Sequence, residues 1–192
     1  MNRIQPLKML MVAAAIVTPI YLMAPIPSLA AKPVKVTVCN VGSPPYLSIQ
    51  DAVDDHNCHS INVPAGIFYE NVTIGSSTDH RDITIRGVGP DSTIVDGDGS
   101  KRIPPALPAP VFAVGWSTVT LKGMTITGGK TPPSSRPNGG GISNVHSTLT
   151  VKDCLITGND ASTEGGGIYI SNTTLTVKDS TISGNSLPEI AP

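Results

Sequence analysis

The sequence predicts an all-β solenoid of short strands, about four coils in all, behind a short N-terminal capping helix. Three observations carry this. GGGISNVHSTLTVKDCLITGN, residues 139–159, returns as GGGIYISNTTLTVKDSTISGN, residues 165–185, without a gap at an offset of 26 residues. Within each copy the apolar residues alternate, Leu149 and Val151 in one TLTV and Leu175 and Val177 in the next, which is the two-residue period of a strand with one buried face. The composition, with 19 Gly, 18 Pro, 4% aromatic and 14% charged residues, favours strands and turns over helices.

Residues 1–30 read as a secretory signal peptide. Arg3 and Lys8 lead into the uncharged stretch 9–26, and Ser28-Leu29-Ala30 offers small residues at a cleavage junction, so cleavage is expected near Ala30. An uncleaved membrane anchor is the competing reading, because the apolar stretch approaches spanning length; Pro19 and Pro25 weigh against it. Cleavage leaves 11 Lys and Arg against 14 Asp and Glu, a mildly acidic domain secreted or held at the cell surface. Without a Lys/Arg run, no nucleic-acid partner is expected.

Residues 31–60 are expected to form the cap, a strand and a short helix. Ser48 suits the helix N-cap, and Ile49, Ala52 and Val53 give it one apolar face. Such a helix closes the open end of a solenoid. In an oxidising compartment Cys39 and Cys58 are expected to pair. Their bridge closes a loop of about 20 residues and stabilises by about 3 kcal/mol through loop-closure entropy. A metal site joining Cys39 to His56-Asn57-Cys58-His59 lacks the paired spacing of zinc sites. The remaining Cys154 is expected to be a buried free thiol, a reactive thiol being the other reading.

Residues 61–192 carry the coils. A looser copy, VFAVGWSTVTLKGMTITGG at residues 111–129, precedes the first by 30 residues, and DITIRG at 82–87 is a worn relative. No single coil can bury its own inward face, so stacking predicts core ladders: Phe112, Ile142 and Ile168; Val119, Leu149 and Leu175; Leu121, Val151 and Val177; Ile126, Ile156 and Ile182. Adjacent rungs should lie about 4.8 Å apart. Lys122, Lys152 and Lys178 make an outward set. Asn159 and Asn185 predict a ladder of turn asparagines, and the Gly runs a tight corner. The segments between copies differ in length (130–138 against 160–164), so loops at that corner vary while the coil stays fixed.

SIQ at residues 48–50 with Ala52 and Val53, then INVPAGIFYENVTI, ITIRGVGPDSTIVDG and the GGGI repeats, resemble the N-terminal part of secreted right-handed parallel β-helix proteins of the pectin-lyase-like fold. The resemblance covers nearly all of residues 35–185 and implies that the coils wind as a right-handed parallel β-helix. It implies no single activity, because that fold hosts lyases, esterases, hydrolases, adhesins and surface proteins. Gly66-Ile67-Phe68-Tyr69-Glu70 is similar to the opening motif of pectin methylesterases. Their later catalytic motifs with paired Asp, Gln and Arg are not in this chain, nor are polygalacturonase-type acidic pairs. Gly-Gly-Gly-Ile at 139–142 and 165–168 is similar to the repeat of polymorphic outer-membrane proteins, with Ile-x-Gly-Asn in place of Phe-x-x-Asn.

Titratable groups form no catalytic constellation. Glu164 has no acidic partner for acid–base work, and Asp54-Asp55 falls on the cap helix. Asp96-Gly97-Asp98-Gly99 echoes part of a calcium loop but lacks the full set of oxygen ligands, so an ordinary turn competes with it. No catalytic residue, metal or cofactor is expected. Asn71 and Asn172 open Asn-x-Thr glycosylation acceptors, relevant in a eukaryotic host. The expected function is a non-catalytic exported β-helix acting in adhesion or in carbohydrate or partner binding. The alternative is the front part of a polysaccharide-active enzyme, pectin-lyase-like or pectin-esterase-like, whose catalytic coils are missing. A third reading is a structural module: residues 186–192 supply no covering helix or charged strand, so the last coil is expected to offer an open edge for end-to-end self-association or for further coils.

Overall fold

Thr alternating with Val, Leu and Ile suits a strand with one face on a core, and stacked copies of such a strand must pair in parallel because each has the same direction. The computed structural model describes residues 37–132, 138–186 and 188–192; the signal-peptide reading and cleavage near Ala30 lie outside these residues. The chain opens with β1 (Thr37–Asn40), α1 (Ile49–Asp54), β2 (Cys58–Asn62) and β3 (Gly66–Tyr69). A first full repeat follows as β4 (Val72–Ile74), β5 (Asp82–Arg86) and β6 (Thr93–Asp96). The second is β7 (Phe112–Gly115), β8 (Thr118–Lys122) and β9 (Thr125–Thr127), trailed by β10 (Lys130–Thr131). The third is β11 (Ile142–Val145), β12 (Thr148–Lys152) and β13 (Leu155–Ile156), trailed by β14 (Asp160–Ala161). The fourth is β15 (Ile168–Ser171), β16 (Thr174–Lys178) and β17 (Thr181–Ile182), with β18 (Ile190–Ala191) after it.

The described residues are all-β, with one short α-helix and a 3-10 turn at Gly99–Lys101. Its strands form three long parallel sheets, β1-β2-β5-β8-β12-β16, β18-β15-β11-β7-β4 and β17-β13-β9-β6-β3, and a small β10-β14 pair. Each repeat contributes one strand to each long sheet, in the same order. Equivalent residues meet in register: Ile142 lies between Phe112 and Ile168, and Leu149 between Val119 and Leu175. Val151 sits between Leu121 and Val177, and Ile156 between Ile126 and Ile182. The worn copy joins the same rungs, Ile83 against Val119 and Ile85 against Leu121. Phe112, Leu121, Ile126, Ile142, Leu149 and Ile156 are fully buried, whereas Val177, on the outermost strand of its sheet, is 39% exposed.

The turn asparagines are polar rungs of the core. Asn159 is 2% exposed. Its Nδ2 donates to the Ile126 carbonyl at 3.0 Å, to Thr157 and to Asn185 Oδ1 at 2.9 Å, while its Oδ1 accepts from the Gly129 amide at 3.0 Å. Asn185 repeats the pattern on the Ile156 carbonyl, and Glu189 ends the ladder by accepting from Asn185 Nδ2 at 2.6 Å. The glycine corner answers to close backbone packing: a Cβ on Gly141 would lie 2.6 Å from the Gly167 carbonyl and 2.9 Å from Asn159 Nδ2.

The cap is held at both ends of α1. Ser48 and Asp51 form a capping box. From 21 residues away, Glu70 accepts from the Ile49 amide with both carboxylate oxygens, at 3.0 and 2.9 Å, and from Gln50 at 3.2 Å. At the other end the Arg81 guanidinium donates to the carbonyls of Val53, Asp55 and Cys58. A carboxylate on the amide end and a guanidinium on the carbonyl end both match the helix dipole. Gln50 presents its side-chain amide to the edge strand β4, donating to the Thr73 carbonyl at 3.1 Å and accepting from the Thr73 amide at 2.8 Å. One side chain thus supplies what a further strand would. The Cys39–Cys58 disulfide joins β1 to β2 and encloses α1 in its loop, with Cα atoms 5.7 Å apart.

Residues 186–192 do more than the sequence reading allowed. That reading left every strand of the last repeat bare, but β18 pairs in parallel with β15, and Glu189 caps the Asn185 turn. The physical reason is local: Asn185 leaves a donor pointing out of the ladder, and Glu189 lies within reach of it. Among the described residues, only β16 and β17 keep an uncovered strand edge in that repeat.

Candidate functional site

Most residues singled out in the sequence serve the scaffold. Cys39 and Cys58 are consumed in the disulfide, which excludes them as metal ligands, and His56 and His59 turn to Asp79 and to the Asn57 carbonyl. Asp96 and Asp98 form an ordinary turn: Lys101 Nζ lies 2.7 Å from Asp96 and 3.7 Å from Asp98, where a cation ligand would have to sit. Among the described residues, no group of three or more His, Cys, Asp and Glu side chains could hold a metal ion. Asn71 donates its amide nitrogen to the carbonyls of Gly97 and Pro110, so it is tied down, whereas Asn172 is exposed. Glu70 is buried as the helix anchor described above. Burial raises its carboxyl above the usual range, with the Ile49 and Gln50 amides pulling the other way.

Cys154 is buried and free. Its thiol faces the Lys152 carbonyl at 3.2 Å, the bond that Ser180 Oγ makes to Lys178 at 2.7 Å one repeat later. It therefore sits in the buried core, as expected, with its thiol turned to a backbone carbonyl at the corner. Burial raises its pKa, so its thiolate population is low.

One concavity was not among the sequence candidates. It is an open groove of about 590 Å³ along the corner between the β7/β11/β15 sheet and the β8/β12/β16 sheet. Four consecutive tripeptides line it, one per repeat: His80-Arg81-Asp82, Trp116-Ser117-Thr118, His146-Ser147-Thr148 and Asn172-Thr173-Thr174. In each, the outer two residues are exposed and the middle one points inward. The groove is thus built of three rows running along the stack.

The middle row fixes the backbone. Ser117 Oγ accepts from the Arg81 amide at 3.1 Å and donates to the Gly115 carbonyl at 2.8 Å. Ser147 Oγ does the same for Ser117 and Val145 at 3.1 and 2.8 Å. Thr173 continues the row with its hydroxyl buried and unpartnered. The third row holds Asp82, Thr118, Thr148 and Thr174 in parallel register, side chains outward.

The first row carries the chemistry. The Trp116 and His146 rings stack with centroids 5.0 Å apart and planes 27° from parallel, and Asn172 continues the line. All three residues have positive φ, 47°, 52° and 50°. The left-handed backbone costs an L-residue about 1–2 kcal/mol, and Gly, Asn and Asp bear it best. The next corner of the same repeats needs the same conformation and uses Gly123, Asp153 and Asp179, at φ 65°, 51° and 48°. His, like Asn and Asp, is enriched in this conformation, so it is Trp116 that stands in the first row in spite of the preference. Strain retained at the exposed Trp116, stacked on His146, makes the groove the candidate site.

No family model, no curated protein and no solved structure matches the chain.

Proposed function

We propose that this protein is an exported, non-catalytic right-handed parallel β-helix of the pectin-lyase-like kind, whose three sheets are the faces of one cylinder and whose corner groove binds an extracellular or cell-surface ligand. The single observation behind the binding role is the placement of Trp116 and His146 at left-handed corner positions, where the neighbouring corner uses Gly and Asp. Four stacked tripeptides give a surface that repeats with each coil, which suits a repeating partner better than a compact metabolite. The disulfide around the cap fits an oxidising compartment. A glycoside hydrolase would need paired carboxylates flanking a bond, and Asp82 is the one carboxylate among the residues lining the groove.

The test compares retention of the full chain on intact cells of the producing culture and on their wall material. Wild type should be retained, and a Trp116→Asn, His146→Asn double variant should wash off. Equal retention of the two sinks the groove as the binding surface. Turnover of wall polysaccharide that disappears with one carboxylate substitution sinks the non-catalytic reading.

A further inference from the structure

We infer that the ligand of the corner groove is a neutral glycan chain lying along the rows, with one of its sugar rings against the exposed part of the Trp116 side chain. This rests on the reading of the groove as a binding surface. Charge eliminates the other ligand classes, and shape matches this one. Among the lining residues, the fixed charges are Arg81 and Asp82. Arg81 is 6% exposed, and its guanidinium is committed to the carbonyls of Val53, Asp55 and Cys58, so it is not offered to an anion. A uronate or a phosphate therefore meets no free guanidinium or ammonium in the groove, and Asp82 would repel it. A cation would find a single exposed carboxylate, too little for a site.

What the groove does offer is apolar faces beside hydroxyls and amides. Trp116 is 38% exposed. The C–H face of a pyranose can cover its ring, as apolar groups cover aromatic faces generally. The Thr118, Thr148 and Thr174 hydroxyls stand in a row, a donor-acceptor pair per coil, about 4.8 Å apart. Asn172 adds an exposed amide. A sugar chain presents the complement: alternating apolar ring faces and hydroxyl edges, repeated at each residue. Ser117 and Ser147 are spent on the backbone and take no part in recognition.

Trp116 is the only tryptophan of the chain, so its emission reports on this groove alone. The experiment titrates the full protein with cellohexaose, xylohexaose and mannohexaose, and with hexagalacturonate as the acidic probe, at low and high salt. At least one neutral hexasaccharide should shift the Trp116 emission with an affinity that salt leaves unchanged. His146→Asn, which keeps the fluorophore, and Trp116→Asn, read by calorimetry, should bind it about tenfold or more weakly. Salt-sensitive binding of hexagalacturonate in preference to all neutral probes overturns the ligand class but leaves the groove as the site. A neutral sugar bound equally by wild type and Trp116→Asn overturns the site. If no probe shifts the emission, the inference falls, and retention on cell walls decides the groove separately.

Discussion

Trp116 can be replaced so that strain and stacking are read apart. Its φ of 47° costs an L-residue about 1–2 kcal/mol, which alanine keeps and glycine does not. All substitutions lose the stack on His146, about 1 kcal/mol. Glycine then gives back about 0.5–1 kcal/mol through its larger unfolded-state entropy. Trp116→Gly should therefore be more stable than Trp116→Ala by about 0.5–1 kcal/mol, the reverse of the order at ordinary positions. Trp116→Asn should match or exceed glycine, as Asn172 does the same task one repeat further on. Urea melts followed by far-UV circular dichroism give the ranking, and for a chain of this size each kcal/mol shifts Tm by about 2–4 °C. If alanine equals or beats glycine, the corner is not strained and the argument from Trp116 and His146 loses its basis.

Three further outcomes bear on the scaffold. Glu70→Ala leaves the buried Ile49 amide without its acceptor and should cost about 2 kcal/mol by urea denaturation. Because burial raises the Glu70 carboxyl, the native state holds that proton more tightly than the unfolded chain; its contribution is full below about pH 4 and declines as pH rises through the raised value. Glu70→Gln should remove that decline relative to wild type in stability measured across the acid range. Asn159→Ala strips acceptors and donors from the buried Gly129 amide and Ile126 carbonyl, and should cost about 3 kcal/mol; a loss under about 1 kcal/mol contradicts the polar ladder. Asn144→Val should instead stabilise by about 1–2 kcal/mol, since Asn144 is fully buried between Val114 and Ile170 with both amide atoms unpartnered; a destabilised variant contradicts this.

The ladders were legible because the sequence states each coil nearly word for word. Leu149 over Leu175 needs only the offset and the alternation, and Ser48 before the apolar face of Ile49, Ala52 and Val53 announces α1. Cys39 and Cys58 were legible from their number and setting. Contacts set by the stacking itself were not. Glu70 meets Ile49, and Arg81 meets Val53, across 21 and 28 residues, and nothing in the intervening sequence names either partner. The groove was hidden for a different reason. In strand alternation Trp116, His146 and Asn172 are merely outward residues before TVTL, TLTV and TLTV; that they share a left-handed corner emerges only when the backbone turns there. One signal was available: Trp-Ser-Thr, His-Ser-Thr and Asn-Thr-Thr stand at the same place in three copies, the first residue changing in kind while the other two stay Ser or Thr.

The most direct measurement is the single indole N–H resonance of Trp116, followed by NMR as a neutral hexasaccharide or wall-derived glycan is added. The account predicts that this resonance, with the backbone amides of His146, Asn172 and Thr174, moves first and saturates together, while the Lys122, Lys152 and Lys178 row stays still. Shifts that gather on the lysine row or on the edge of β16, with the indole unmoved, would contradict it.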